Sequence, residues 1–148
     1  MQSFTLRQAD EAEFPVIRAL IRTAGINPMG LAWKRFVVAI DSDGQIIGCG
    51  QIKPHSDGTR ELASIVVIPA WQGRGVARAI IEHLIAEHSG ELYLTCREEL
   101  GRLYEKFGFV PLNDKELPPY FRRIRRIFKG MRRLGLVHED LLVMKRIG

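Results

Sequence analysis

Residues Glu61 to Ala77, read as ELASIVVIPAWQGRGVA, hold the clearest chemical arrangement in the chain. Ile65, Val66, Val67 and Ile68 form an unbroken β-branched run, which favours a buried strand. Pro69 stops that strand, because proline offers no N–H to a ladder and fixes φ. Gln72-Gly73-Arg74-Gly75-Val76-Ala77 then opens a helix that is predicted to run to Glu87. Strand, glycine turn and helix in that order leave unpaired backbone N–H groups at the positive end of a helix dipole. Such a place accepts a phosphate or pyrophosphate. Gly73 and Gly75 let the backbone approach the anion, since no Cβ intervenes. The dinucleotide pattern GxGxxG would need glycine at Arg78, and a Walker loop would need Gly-Lys-Ser/Thr; the chain has neither. It has Q-x-x-G-x-A, on Gln72, Gly75 and Ala77. A tight strand-to-helix turn without ligand is the competing reading.

The elements that position this turn follow from periodicity. Phe4, Leu6 and Arg7 suggest a first strand. Asp10 and Glu13 form a capping box for a helix with Phe14, Ile17, Leu20 and Ile21 on one face, ended by Gly25. A loop follows from Ile26 to Lys34, with a short helix about Leu31 to Lys34. Arg35–Ile40 and Gln45–Lys53 read as a hairpin around Asp41-Ser42-Asp43-Gly44. Gly48 and Gly50 mark a bulge or a close backbone approach. Pro54–Thr59 is a second turn, leading into the strand Arg60–Ile68. After the glycine turn, Val76, Ile80, Ile81, Leu84 and Ile85 give the helix its apolar face. Glu91–Cys96 is the next strand, and strand–helix–strand implies a parallel, right-handed crossover. A helix from Glu99 to Phe107 is capped by Gly108. Strands at Phe109–Leu112 and Leu141–Lys145 complete the set.

Composition bounds the reading. A chain of 148 residues suffices for one domain with a real core. No apolar run approaches the roughly 20 residues of a membrane span. The start, MQSFTLRQADEAEF, lacks the basic-then-apolar pattern of a secretory leader, and two cysteines outside any disulfide framework fit a reduced, cytoplasmic setting. Cys49 and Cys96 make no disulfide framework or metal cluster and read as small buried thiols. The net charge of +5 is local: Arg122, Arg123, Arg125, Arg126, Lys129, Arg132 and Arg133 carry +7 without an acid between them, leaving −2 for the rest. Phe121, Ile124, Ile127, Phe128, Met131 and Leu134 recur among them at helical spacing. Residues 118–135 therefore read as an amphipathic basic helix begun by Pro118-Pro119.

The glycine turn resembles the pyrophosphate-binding signature of the GNAT superfamily of N-acetyltransferases, Gln/Arg-x-x-Gly-x-Gly/Ala after a strand. Leu103 to Phe109, LYEKFGF, resembles that family's later Y-x-x-x-G-F motif, at a suitable distance from Gln72. The resemblance covers roughly Thr5 to Val110 and the last strand. It implies an α/β (α+β) fold with a central mixed, mostly antiparallel sheet, a splayed parallel strand pair and flanking helices. The basic helix is an insertion before the last strand of a single domain over 1–148. It implies acetyl-CoA as co-substrate, no metal, and transfer of acetyl to a primary amine by direct attack in a ternary complex (an acyltransferase of EC class 2.3.1).

By that resemblance Val66, Val67, Gln72, Gly73, Arg74, Gly75, Val76, Ala77, Arg97 and Tyr104 are candidate cofactor contacts. The Val67 backbone would meet the acetyl carbonyl. Many members carry Asn where this chain has Arg97, which alters the expected contacts of the pantetheine arm. Tyr104 is the candidate general acid; its alternative is a ring packed on Phe107 with a satisfied hydroxyl. Glu61 is the candidate base, acting directly or through water, against a solvated strand-end carboxylate; Ser64 and His55 are further relay candidates. Asn27, Met29 and Trp33 are candidate substrate contacts, with Trp33 also readable as packing. The acceptor stays open between a small molecule and a peptide or protein amine, and a homodimer is a candidate assembly. Arg122 to Arg133 would suit an acidic or phosphate-bearing partner, a membrane surface, or only solvent. Two other functions compete: a non-catalytic acyl-CoA-binding sensor or scaffold, and a nucleic-acid-binding protein led by the basic helix.

Overall fold

A computed structural model of the chain describes residues 3–148. The chain divides into two compact units, one running up to Lys53 and resuming over Leu62–Ser89, the other comprising Pro54–Glu61 and Gly90–Gly148.

The first unit contains β1 (Phe4–Gln8), α1 (Phe14–Thr23), β2 (Phe36–Asp41), most of β3 (Ile46–Pro54), most of β4 (Arg60–Val67) and α2 (Val76–Glu87). β1 pairs antiparallel with β2 from Phe4↔Asp41 to Gln8↔Val37, and β2 with β3 from Phe36↔Gln51, with a register shift at Ala39/Ile40. The predicted capping box is present: the Asp10 N–H donates to Glu13 Oε1 at 2.8 Å. It heads a short 3₁₀ turn, Glu11–Glu13, from which α1 continues. Arg7 holds the same Glu13 carboxylate with both guanidinium nitrogens, at 2.8 and 2.7 Å. Ile17 and Ile21 of α1 meet Phe36, Val38, Ile40, Cys49 and Val66 in one core. On the other side of β3, Gly48 and Gly50 accept α2. A Cβ on Gly50 would stand 2.6 Å from Ile80 Cγ2 and 2.7 Å from Ile65 Cδ1. Both expectations for these glycines are met: the register slips beside Gly48, where Ile47 is the extra residue, and a Cβ on Gly48 would stand 2.9 Å from the Val66 carbonyl oxygen.

The second unit contains the start of β4, then β5 (Leu92–Arg97), α3 (Gly101–Glu105), β6 (Val110–Pro111), α4 (Pro119–Arg133) and β7 (Leu141–Arg146). Glu61 of β4 and Tyr93 of β5 form the parallel pair. β7 lies antiparallel to β5 from Leu92↔Arg146 to Arg97↔Leu141, and to β6 at Val110↔Lys145. Tyr93, Leu112, Leu117, Phe121 and Val143 form its core. In hydrogen-bonding order the seven strands of the mixed sheet run β1-β2-β3-β4-β5-β7-β6.

Three details differ from the sequence-based expectation. α3 is only five residues long, because a 3₁₀ turn (Glu98–Leu100) precedes it and i→i−3 bonds tighten its end before Gly108, at φ 90°. β6 has two residues rather than four. On α4, Ile127 and Leu134 do not share the packed face with Phe121, Ile124, Phe128 and Met131. At about 100° per residue they turn off that arc, and both are exposed.

Candidate active site

In the first unit, β4 ends at Val67 and a 3₁₀ turn, Pro69–Trp71, carries the chain to Gln72. Gln72 Nε2 donates to the Val67 carbonyl at 3.0 Å, so the first motif residue folds back onto the strand end. Gly73 and Gly75 have φ of 77° and 84°. That left-handed backbone costs other residues about 1–2 kcal/mol. Gly75 is the N-cap of the twelve-residue α2. A Cβ at either glycine would meet nothing within 4 Å. The glycines are thus required by backbone conformation, and the space beside them is open to an incoming group. Behind it stand the first N–H groups of α2, which have no intrahelical acceptor. The arrangement fits a pyrophosphate. Val66 and Val76 are buried, Val67 and Ala77 half-buried, and the Arg74 guanidinium lies 5.4 Å over the Trp71 ring.

In the second unit, Glu61 is a buried carboxylate bonded to His55 Nε2 at 2.7 Å; their side chains are 11% and 8% exposed. With the carboxylate ionised, the Nε2–H is the donor. The solvated strand-end reading of Glu61 is therefore replaced by a paired, buried one. The His55 ring stacks on Tyr120 with centroids 3.5 Å apart and meets the Phe121 edge at 5.7 Å. Asp57 accepts the Tyr120 N–H at 3.0 Å, fixing the first turn of α4 to the Pro54–Thr59 turn. The sequence carried a signal for this pairing. His55 and Glu61 flank the Asp57-Gly58 turn, and the His55 N–H bonds the Thr59 carbonyl across it. Sequence reasoning weighed the two residues separately and missed Tyr120 altogether.

Tyr104 packs edge-on against Phe109, with centroids 6.3 Å apart, and not on Phe107 as its alternative reading had it. Its hydroxyl bonds none of the described residues and, as no buried side-chain polar atom among them lacks a partner, it reaches the surface. Burial, and next the neighbouring Cys96, push its pKa above the ordinary tyrosine value. Arg97 is largely exposed and pairs with Glu99 and Glu139 at 3.5 and 3.8 Å. The Cys49 thiol is pushed up to about 12 and the Cys96 thiol to about 11, both by burial. Thiols so shifted are not nucleophiles at neutral pH.

The candidate substrate residues lie in the first unit. Asn27 Oδ1 accepts the Met29 N–H at 3.0 Å, Met29 is exposed, and Lys34 Nζ sits 5.8 Å over the half-buried Trp33 ring. Ser64 adopts φ 59°, interrupting the alternation of β4, and its hydroxyl accepts from the buried Gln51 Nε2 at 2.9 Å. Gln51 in turn accepts from Arg35 Nε at 3.3 Å. A separate cavity of about 310 Å³ lies along α4, lined by Asp114, Arg125, Phe128, Lys129, Asp140 and Leu142. Its cations already hold Asp114, which leaves it little charge to offer a ligand.

Residues 32–111 match the family described as an acetyltransferase (GNAT) domain. In fold the chain is similar to N-acetylglutamate synthase from Neisseria gonorrhoeae complexed with coenzyme A and N-acetyl-glutamate. The TM-score is 0.71 at 23% identity, over 98% of this chain and 35% of that one. It is similar to Rv2747 from Mycobacterium tuberculosis in complex with CoA and NLQ, with TM-score 0.72 and 20% identity over 97% and 99% of the two chains. Escherichia coli ElaA follows, with TM-score 0.67 and 13% identity over 99% of each. The chain thus spans about a third of the synthase and nearly all of the other two.

Proposed function

The chain belongs to the GNAT acetyltransferase family, and on that premise we propose that it transfers acetyl from acetyl-CoA directly to the primary amine of a small acceptor. The observation that carries this reading is the strand end, left-handed glycine turn and helix N-terminus at Val67–Ala77. Backbone N–H groups there would hold the pyrophosphate, with Gln72, Gly73, Arg74, Gly75, Val76 and Ala77 as its surroundings. Val66 and Val67 would line the path of the pantetheine arm, and the Val67 backbone would meet the acetyl carbonyl. Arg97 is tied to two acids, and any contact it makes with the arm would require leaving them.

The amine must first lose a proton, since the ammonium form has no lone pair. Glu61 takes it, directly or through water, with His55 fixing the carboxylate by the 2.7 Å bond. The amine nitrogen then bonds the acetyl carbon, the C–S bond breaks, the leaving thiolate takes the proton of Tyr104, and the second proton of the attacking nitrogen passes through water to restore the phenol. The raised pKa of that phenol keeps it protonated at neutral pH. Its hydroxyl without a partner supports a donor role over a packing role. The two high-pKa thiols favour direct transfer over an acetylated cysteine.

Two neighbours hold coenzyme A, one of them with N-acetyl-glutamate, so α-amino acids head the acceptor panel; Asn27, Met29 and Trp33 would touch the acceptor. The test is thiol release from acetyl-CoA with and without each amine. Acceptor-dependent release is expected, falling by about 100-fold or more in Glu61→Gln. Absence of release with every small amine and peptide would overturn the proposal.

A further inference from the structure

At about 100° per residue, the circumference of α4 falls into three arcs. The first carries Phe121, Ile124, Phe128 and Met131, buried or half-buried, and packs toward β7. The second carries Arg122, Arg125, Lys129 and Arg132, and every one has an internal partner. Arg122 donates to the Leu117 carbonyl at 2.9 Å. Arg125 and Lys129 share Asp114 at 2.7 and 2.9 Å, and Arg132 pairs with Asp140. The third arc carries Arg123, Arg126 and Arg133, all exposed, and none forms an ion pair or hydrogen bond among the described residues. The same arc carries Ile127 at 54% and Leu134 at 77% exposure, and Leu136 follows at 67%.

Cations alone would suit any polyanion. The aliphatic side chains beside them narrow the choice. Ile127, Leu134 and Leu136 gain nothing from a phosphodiester chain, and single-stranded nucleic acid is gripped by stacking on aromatic rings. The outward arc has none, and Tyr120 is already stacked on His55. A bilayer interface satisfies both kinds of residue at once. Headgroup phosphates accept the planar arginine fork, and the boundary of the acyl chains takes the aliphatic side chains. No helix among the described residues is long and apolar enough to cross a membrane, so the contact lies in the interfacial plane. We propose that α4 docks on an anionic phospholipid surface through Arg123, Arg126 and Arg133 together with Ile127, Leu134 and Leu136.

The experiment is co-sedimentation of the full chain with vesicles of phosphatidylcholine alone or mixed with phosphatidylserine. Binding to the mixed vesicles only is expected, weakening as salt rises. Each near-surface arginine contributes roughly 5-fold in partitioning. Replacing all three by Gln should therefore lower binding by about 100-fold. Replacing Ile127, Leu134 and Leu136 by Ser should lower it by at least about 10-fold. Lys129→Gln, at a cation already paired with Asp114, should leave it within about twofold. All these positions are exposed, and an unchanged thermal midpoint shows that the variants are folded. Equal loss from Lys129→Gln and from an outward arginine would overturn the proposal. So would full binding by the Ser variant, binding to RNA but not to vesicles, or binding to neither vesicle.

Discussion

Replacing Tyr104 by Phe separates chemistry from packing. The hydroxyl has no partner among the described residues, so its removal orphans no donor or acceptor. The ring keeps its edge contact with Phe109. The stability change should therefore stay within about 0.5 kcal/mol, or roughly 2 °C in Tm for a chain of this size. The rate should behave otherwise. A positioned general acid contributes about 10²–10⁴-fold, so kcat should fall at least about 100-fold with KM for acetyl-CoA nearly unchanged. Burial raises the phenol pKa, so the wild-type rate should decline only as pH climbs above the ordinary tyrosine range, near 10. The variant should lack that alkaline limb. Steady-state thiol release across pH, beside a melting curve, gives all three quantities. A kcat within about threefold of wild type would refute the donor role. A loss of more than about 5 °C in Tm would refute the claim that the hydroxyl is unpartnered.

Gly75→Ala should cost about 1–2 kcal/mol in urea unfolding, from its φ of 84° alone, because a Cβ there meets nothing; calorimetric titration should show weakened acetyl-CoA binding. Gly50→Ala should cost about 1–3 kcal/mol by overpacking, since its Cβ would press on Ile80 and Ile65, with no effect specific to acetyl-CoA affinity. Stability should fall as pH rises above about 8.5, because unfolded thiols ionise there while Cys49 and Cys96 hold their protons to about 12 and about 11. Cys49→Ala should flatten that fall in urea midpoints measured between about pH 8 and 10.

What could be read from the sequence was local. Gln72, Gly73 and Gly75 declare a helix entry because positive φ, a proline stop and a free helix N-terminus are properties of neighbouring residues. Asp10 and Glu13 declare their capping box for the same reason. Long-range contacts left weaker marks. Glu61 could be placed on a strand but not paired, since its partner depends on how the Asp57-Gly58 turn closes and on Tyr120 stacking over His55. Ile127 and Leu134 fit a 3.6 period as well as Phe128 does, and only the packing of α4 separates them. Tyr104 was found through its motif, whereas its ring contact with Phe109 needed the fold.

Asp57 couples two very different distances along the chain. One oxygen accepts from Thr59, two residues on; the other accepts from Tyr120, 63 residues on. The first bond can close within microseconds, whereas the second waits on a loop whose closure entropy grows with its length. α4 cannot hurry it. Fifteen residues are marginal for a helix in isolation, and Arg122/Arg126 and Arg125/Lys129 repel along it. The turn is therefore made early and stands as a ready cap, and α4 winds as it is captured. We expect a bond closed across so long a loop to form after the folding barrier. Loosening it hastens the escape of α4 and leaves the rate of assembly nearly as it was.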